Sequence, residues 1–263
     1  MSGYFISTGN IDLERLNILN EIYNESTFSF LRSHHKNDHL NVLEVGCGTG
    51  DLAIWMAKNF NVEITAVDMS EENILICKDK CDQNNLKNIN FISGSIEDVI
   101  GGLGKLDFVY GRLVFMFIKN LHNLVGKIYS KLTNKGVFCL EEISLIKSGH
   151  FTYPEYPVID QWHRCGVSNA IASDLDPDLA SKIPKILNEN GFNDISVKCF
   201  QPILKTQREK SVYALGIQSV NQKMNTLSKE ELFDMLNLLS KVESDSKALI
   251  GFFRNLQISC KKY

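Results

Sequence analysis

The residues with the clearest chemical meaning lie in the segment 41–51, which reads NVLEVGCGTGD. Three glycines within five residues, Gly46, Gly48 and Gly50, follow a short apolar run of the kind that fills a buried strand. Glycine permits positive φ angles and leaves the main chain bare, so that a ligand can lie directly on it. An apolar stretch with helical spacing begins at Leu52, so the turn also offers the free N–H groups of a helix start. The pattern predicts a strand, a tight turn and a helix that together bind a nucleotide-like cofactor.

The charges on this turn indicate which cofactor it binds. In a dinucleotide fingerprint, Gly-x-Gly-x-x-Gly, the last glycine counted from Gly46 would stand at residue 51, which here is Asp51. A carboxylate disfavours a diphosphate at that point, and Glu44 places a second carboxylate at the strand end. Two carboxylates suit an ammonium or a sulfonium group, and S-adenosylmethionine carries both groups and no phosphate. S-adenosylmethionine is therefore the expected cofactor, and a NAD-dependent dehydrogenase is the alternative.

Two motifs at a matching distance identify a family. The heptapeptide EVGCGTG, from Glu44 to Gly50, resembles the first motif of the class I S-adenosylmethionine-dependent methyltransferases. A second apolar segment, 62–67, ends on Asp68, eighteen residues after Gly50, where the family places an acidic residue on the two ribose hydroxyls. The resemblance implies that the cofactor is bound by Glu44, Gly46, Cys47, Gly48, Gly50, Asp68 and Met69.

The resemblance implies further cofactor contacts outside these motifs. Tyr4 with Glu14-Arg15-Leu16 is similar to the leader of small-molecule methyltransferases of the ubiquinone-biosynthesis-like type, in which Tyr4 would cover the cofactor and Arg15 would pair with its carboxylate. A surface arginine on an ordinary helix is the alternative. The segment 94–98 resembles the adenine-side loop, in which Ser95 would accept from the adenine amino group and Ile96 would pack on the ring. Serine stands where the family commonly has aspartate, and an ordinary polar turn is the alternative.

The place where the methyl group meets its acceptor in this family corresponds to the segment 111–117, GRLVFMF. It lacks the Asp/Asn-Pro-Pro sequence of enzymes that methylate an exocyclic amine, and the chain has no Pro-Cys pair for cytosine C5 chemistry. An apolar wall that includes Phe115 remains, suited to a small organic acceptor. Arg112 is either an anion clamp for a carboxylate-bearing acceptor or a brace for the cofactor end. Glu142 belongs to an acidic pair that either faces the acceptor or forms salt bridges at the sheet rim.

Residues 144–172 interrupt the alternation of strands and helices with many aromatic residues, and we expect them to form a lid. Its candidate substrate contacts are Tyr153, Tyr156 and Trp162, because aromatic side chains with polar tips line pockets for planar or apolar acceptors. His163 is the candidate general base, since an imidazole can take the proton that a hydroxyl or an amine loses. Plain packing over the sheet edge is the alternative for each residue. A sulfonium is already an activated donor, so positioning and desolvation in a lidded pocket are expected to supply most of the rate.

The order of predicted elements indicates an α/β fold. The segment LNENGF at 187–192 is similar to the family's entry into an antiparallel hairpin, and the resemblance implies a Rossmann-like, doubly wound sheet of seven strands whose last strand is antiparallel. The last two strands are expected at 195–200 and 212–219, and two amphipathic tail helices at 228–242 and 245–256. The predicted organisation is a helical N-terminal cover at 1–40, a methyltransferase domain at 41–220 with the lid inserted, and C-terminal helices at 221–263. The cover is expected to hold two helices, one beginning after Asn10 and a second at about 28–33.

The composition limits the partners that the protein is expected to have. Its 28 basic and 31 acidic residues give a net charge of −3 without a long basic block, which disfavours a nucleic-acid partner. Seven scattered cysteines fit reduced thiols, and no metal site is expected. The sequence shows no leader and no apolar run near the roughly 18 residues of a membrane span, so a cytoplasmic protein is expected. A tRNA or protein methyltransferase and an inactive S-adenosylmethionine-binding protein stay open. The tail helices either pack on the flank of the sheet or pair with another subunit in a homodimer.

Overall fold

The computed structural model describes residue 6, residues 9–34 and residues 39–263, and these form two compact units. The segments of the first unit are Met1–Glu25, Ile143–Leu179 and Phe200–Asn255. The segments of the second unit are Ser26–Glu142, Ala180–Cys199 and Leu256–Tyr263.

The helices of the described residues alternate with strands through the first half of the chain. The helices are α1 (Asn10–His34), α2 (Asp51–Asn59), α3 (Glu71–Gln83), α4 (Ile96–Val99), α5 (Leu121–Lys131), α6 (Pro157–Ala172), α7 (Leu179–Glu189), α8 (Gln207–Lys210), α9 (Val212–Met224) and α10 (Lys229–Ser244). The strands are β1 (Leu40–Val45), β2 (Val62–Asp68), β3 (Ile89–Ser93), β4 (Leu106–Arg112), β5 (Leu132–Ile143), β6 (Phe151–Tyr153), β7 (Asn193–Phe200), β8 (Ile203–Leu204), β9 (Leu249–Gly251) and β10 (Asn255–Lys261).

Within the described part of the chain, a seven-stranded sheet runs in the order β3-β2-β1-β4-β5-β10-β7. The pairs β1–β2, β1–β4, β2–β3 and β4–β5 are parallel. The last strand of the chain, β10, is antiparallel, and beside it Lys135 N–H donates to Lys262 O while Lys262 N–H donates to Gly136 O. The order changes direction at β1, and open α/β sheets bind ligands at the carboxyl ends of the strands beside such a point. The predicted Rossmann-like sheet is confirmed.

Burial in the second unit explains why β1 is a central strand and why α2 lies directly after the turn. Val42, Leu43 and Val45 are all buried in β1, as expected for a parallel strand that is covered on both faces. The helix that follows buries Leu52, Ala53, Ile54 and Met56. The three larger side chains each contribute roughly 1.5–3 kcal/mol of burial. The helix is thereby fixed directly behind the glycine turn.

The first unit contains a small antiparallel sheet, and its order among the described residues is β6-β9-β8. Helix α9 packs against α6 and α10 in this unit. The aromatic rings of Trp162, Tyr213, Phe252 and Phe253 contact one another at centroid distances from 4.9 to 5.9 Å. The segment predicted as a lid thus forms β6 and α6, and its role over an acceptor remains a prediction.

Three predicted elements are wrong. Residues 212–219 lie in helix α9 rather than in a strand, and their buried residues Tyr213 and Ile217 show the four-residue spacing of a helix. Residues 245–256 are not a helix, because they contain β9 and the start of β10. The segment 10–34 is one continuous helix instead of two. The seventh strand of the sheet therefore comes from the tail, after α10.

None of the described helices is both long enough and apolar enough to cross a membrane.

Candidate functional site

The turn between β1 and α2 depends on its glycines. Gly46, Gly48 and Gly50 have φ angles of 68°, 51° and 78°, which side-chain-bearing residues rarely adopt. A Cβ atom at Gly46 would lie 2.5 Å from Val114 Cγ2, and one at Gly50 would lie 2.8 Å from Cys77 Sγ. At Gly48, by contrast, a Cβ atom would meet no atom of the described residues within 4 Å. The turn is therefore closed by packing on two sides and open at its centre.

The carboxylate of Asp68, at the end of β2, is attached to this turn. Its Oδ2 accepts from Gly48 N–H at 2.8 Å, and its Oδ1 accepts from Ser70 N–H at 2.9 Å. These two backbone donors fix the orientation of the carboxylate. Met69, the next residue, is 62% exposed. The structure thus brings Asp68 and Gly48 together, as the two motifs predict.

Glu44 lies in β1 just before the turn and is only 2% exposed. Its Oε2 atom is buried and has no hydrogen-bond partner among the described residues. Burial, against the opposing charge of Arg112 and with smaller contributions from Asp51 and Asp68, raises the pKa of this carboxyl to about 8. The sequence interpretation took Glu44 as a negative charge, but the ligand-free structure favours the protonated form near neutral pH.

Asp51, the second carboxylate from which the cofactor was predicted, pairs with Lys80, a partner that the sequence pattern does not indicate. Its Oδ2 accepts from Thr49 Oγ1 at 2.6 Å and pairs with Lys80 Nζ at 3.0 Å. Lys80 also donates to the carbonyl oxygen of Thr49 at 3.1 Å. Because this lysine from α3 offsets the charge of Asp51, the start of α2 is less negative than the motif alone suggests.

The adenine-side residues predicted from the sequence follow β3. The hydroxyl of Ser95 accepts from Glu97 N–H at 3.3 Å and so caps the short helix α4. Ile96 is buried. A capping hydroxyl keeps one lone pair and its proton available, so the roles predicted for Ser95 and Ile96 stay predictions.

A buried polar network surrounds Glu141 near the carboxyl ends of β4 and β5. Thr27 Oγ1 donates to Glu141 Oε2 at 2.7 Å, Gln257 Nε2 donates to Oε1 at 2.8 Å, and the hydroxyl of Tyr110 also donates to Oε2. Arg112 Nη1 in turn donates to Thr27 Oγ1 at 2.9 Å. Burial and then the charge of Glu141 raise the pKa of Tyr110 well above its usual range. Sequence reasoning identified Arg112 but missed these partners, which come from distant parts of the chain.

Two predicted acceptor residues lie in the interior of the second unit. Phe115 is fully buried and packs edge-on against Phe138 at a centroid distance of 5.8 Å. The Oε2 atom of the buried Glu142 accepts from Met116 N–H at 3.2 Å. Both side chains have structural contacts, and their contact with an acceptor stays a prediction.

The predicted lid residues lie in the first unit and differ in their surroundings. Tyr153 is 75% exposed. The hydroxyl of Tyr156 donates to Asp245 Oδ2 at 2.5 Å, and burial together with this carboxylate raises the pKa of Tyr156 to about 12. Trp162 Nε1 donates to Tyr213 O at 2.8 Å. Two of the three polar tips are therefore occupied by contacts within this unit.

The candidate general base, His163, is 5% exposed and stacks on His150 at a centroid distance of 3.5 Å. Its two ring nitrogens have no hydrogen-bond partner among the described residues. Burial, with a smaller effect of His150, lowers the pKa of His163 to about 3. Such an imidazole is neutral and a weak base, so the structure argues against the predicted role.

Of the two N-terminal residues predicted to touch the cofactor, Tyr4 lies outside the described residues. Arg15 pairs with Asp12 one turn earlier in α1, at 2.7 Å. This pair lies within the first unit, and the predicted contact of Arg15 with the cofactor stays a prediction.

Comparison with known proteins agrees with this geometry. Residues 36–191 match the model of a methyltransferase domain. Malonyl-[acyl-carrier protein] O-methyltransferase 1 of Ilyobacter polytropus is 30% identical over 237 residues, which is 85% of this chain and 80% of that protein. Malonyl-[acyl-carrier protein] O-methyltransferase of Priestia megaterium is 31% identical over 107 residues, 40% of this chain and 38% of that protein. This chain spans well under two thirds of the length of the Priestia protein. The acceptor given in the names of these relatives is therefore not established for this chain.

A solved structure supports the fold. Phosphoethanolamine N-methyltransferase 2 of Haemonchus contortus, in complex with S-adenosyl-L-methionine, has a TM-score of 0.55 and 15% identity over 95% of this chain and 52% of that chain. The family match rules out the dehydrogenase alternative, and S-adenosylmethionine is the family's cofactor. With its glycine turn, Asp68 and seven-stranded sheet, the chain belongs to the class I S-adenosylmethionine-dependent methyltransferases.

Proposed function

We propose that the protein transfers the methyl group of S-adenosylmethionine to a small organic acceptor, and that a carboxylate-bearing acyl compound is the first class to test. The observation that carries the proposal is the open centre of the turn at Gly48, with Asp68 attached to it by a 2.8 Å hydrogen bond. This arrangement offers bare main chain and a fixed carboxylate at the carboxyl ends of β1 and β2. A ligand with a vicinal diol and no phosphate suits it.

The residues of the turn fit the cofactor, each by a specific property. Asp68 would accept from the ribose hydroxyls, since the backbone N–H groups of Gly48 and Ser70 hold its carboxylate at the turn. Gly48 leaves room for the ligand, and the unpartnered Oε2 of Glu44 would receive the ammonium group. Ser95, Ile96 and the exposed Met69 would complete the adenine side, as the family resemblance implies. We assign Arg112 to the cofactor end, because its charge acts on Glu44.

Methyl transfer from S-adenosylmethionine depends mainly on binding and orientation. When bound, S-adenosylmethionine supplies a methyl group that is activated by its sulfonium. The chain must hold that group in line with the acceptor atom and exclude water. A carboxylate oxygen is already ionised at neutral pH and needs no general base. The low pKa of His163 is therefore compatible with such an acceptor, whereas a hydroxyl acceptor would need a base.

The relatives favour the same acceptor class. The names of the Ilyobacter and Priestia proteins give malonyl-[acyl-carrier protein] as the compound whose oxygen they methylate. A malonyl group bears a free carboxylate. Carrying this chemistry over to the present chain is a proposal, and a tRNA acceptor, a protein acceptor or an inactive binding protein are its alternatives.

The test begins with calorimetric titration of the purified protein with S-adenosylhomocysteine, with NAD run alongside. Micromolar binding of S-adenosylhomocysteine alone is expected. Transfer of labelled methyl groups is then measured on malonyl thioesters, aromatic acids, phenols, amines, tRNA and a mixture of proteins. Activity confined to the carboxylates supports the proposal, and activity confined to tRNA or protein would contradict it. Binding without turnover on any acceptor class would favour the inactive binding protein.

A further inference from the structure

Glu44 is a buried acid whose second oxygen has no partner in the described structure, and it lies where the cofactor's ammonium is proposed to bind. We propose that Glu44 is protonated in the free protein and releases its proton to solvent when the cofactor binds, so that cofactor affinity depends on pH. This inference rests on the proposed function, because it takes S-adenosylmethionine or its product as the ligand of the glycine turn.

The position of Glu44 explains why its charge is not stabilised in the free protein. It lies in the central strand β1, whose backbone is flanked by Ala66 of β2 and Tyr110 of β4, and its side chain is buried. The backbone of Ala53 donates a hydrogen bond to its carboxyl group. One donor satisfies a small part of the accepting capacity of a carboxylate, and an ionised group in such a site is costly.

The charged groups that face Glu44 do not change this balance. Arg112 at the end of β4 favours ionisation, whereas Asp51 at the start of α2 and Asp68 at the end of β2 oppose it. Cys47 in the turn and Tyr110 in β4 also lie within its electrostatic reach. Burial and the two acids outweigh the single arginine, which agrees with a pKa raised to about 8.

Binding of an ammonium group supplies what the free site lacks. The cation carries positive charge and N–H donors that reach the unpartnered Oε2, so the ionised carboxyl gains an ion pair. The O–H bond of Glu44 breaks, its proton passes to the buffer, and the carboxylate pairs with the ligand's ammonium. No electron transfer and no other reactant are involved.

The expected effect follows from the free pKa of about 8. At pH 7 the free carboxyl holds about 0.9 of a proton, so close to one proton should leave for each ligand bound. Affinity for S-adenosylhomocysteine should rise about 50-fold between pH 6 and pH 8, if the bound carboxyl stays ionised throughout. Calorimetry at pH 7 in phosphate and in Tris measures the released protons directly, because the two buffers differ in their heat of ionisation.

Two variants make the test specific. Glu44→Gln keeps the shape of the protonated side chain and cannot ionise, so its titrations report only protons from the ligand and the rest of the protein. Glu63→Gln removes an exposed carboxylate of the same sheet and should behave as the unchanged protein does. The expected result is a loss of the proton release and of the pH dependence in Glu44→Gln alone.

The outcomes separate this inference from the proposed function. If the folded protein binds no S-adenosylhomocysteine between pH 6 and pH 8, the proposed function fails. If it binds with no proton release and with an affinity that is constant over that range, the cofactor assignment holds and the inference is overturned. Should Glu44→Gln fail to fold, the unchanged protein still tests the inference, because an absence of proton release at pH 7 would overturn it.

Discussion

Replacing Tyr110 with phenylalanine should measure what the buried network around Glu141 contributes to stability. Tyr110 is fully buried in β4, and its hydroxyl donates to the Oε2 atom that also accepts from Thr27. The substitution keeps the ring and removes one donor. A hydrogen bond to a charged acceptor contributes roughly 1.5–3 kcal/mol, so a loss of about 2 kcal/mol is expected.

Urea denaturation followed by tryptophan fluorescence and circular dichroism gives this number. The matched control is Tyr129→Phe, since Tyr129 is a half-buried tyrosine of the same unit whose hydroxyl makes no hydrogen bond in the described structure. That control should lose less than about 0.5 kcal/mol. An equal loss in both variants, or a loss below about 0.5 kcal/mol in Tyr110→Phe, would refute the network as a source of stability.

A double-mutant cycle tests whether the donors act together. Thr27→Val removes the second donor to the same oxygen, and it also removes the partner of Arg112 Nη1. Because Tyr110 and Thr27 share one acceptor atom, their effects should differ from additivity by more than about 0.5 kcal/mol. Additive losses would mean that the two hydroxyls act independently.

Three further predictions concern the cofactor end. Gly50→Ala should lower the free energy of unfolding by about 2 kcal/mol, because its Cβ would lie 2.8 Å from a cysteine sulfur. Gly48→Ala should still fold, at a cost of about 1 kcal/mol, and should bind S-adenosylhomocysteine at least tenfold more weakly. Arg112→Lys should weaken that affinity, measured by calorimetry, while an increase confined to the acceptor's KM would move Arg112 to the acceptor. In the free protein, the raised pKa of Glu44 stabilises the folded state fully below pH 4.5, and this stabilisation is lost as the pH rises towards 8. Urea denaturation should therefore show that the free energy of unfolding falls by about 3.5 kcal/mol from pH 5 to pH 8, a fall that Glu44→Gln lacks.

The sequence was sufficient where the chemistry is local. The glycine turn needs positive φ angles within five residues, and Asp68 follows directly from the end of an apolar strand. Both features depend on short segments of the sequence, and the sheet that they imply is present. Burial of Val42, Leu43 and Val45 likewise follows from the apolar run itself.

The sequence was insufficient where an element depends on distant partners. Residues 212–219 hold apolar side chains that fit a strand or a buried helix, and packing against α6 and α10 decides for the helix. The strand β10 pairs within the sheet although α8, α9 and α10 precede it, so its place depends on a contact that no local pattern encodes. The partners of Glu141 show the same limit, since Thr27 is 114 positions away and Gln257 is 116 positions away.

The charges of Asp51 and Glu44 in the folded site also differ from those that the sequence alone suggests. The prediction of S-adenosylmethionine used Asp51 and Glu44 as two negative groups, yet Lys80 offsets the first and burial favours protonation of the second. The cofactor prediction is confirmed by the family match, and the glycine motif supports it independently of those charges. A free site with a neutral Glu44 does not attract an ammonium group by a standing charge. Glu44 becomes a carboxylate only when the ligand binds. Proton release on binding therefore distinguishes a Glu44 that ionises with the ligand from one that is already ionised in the free protein.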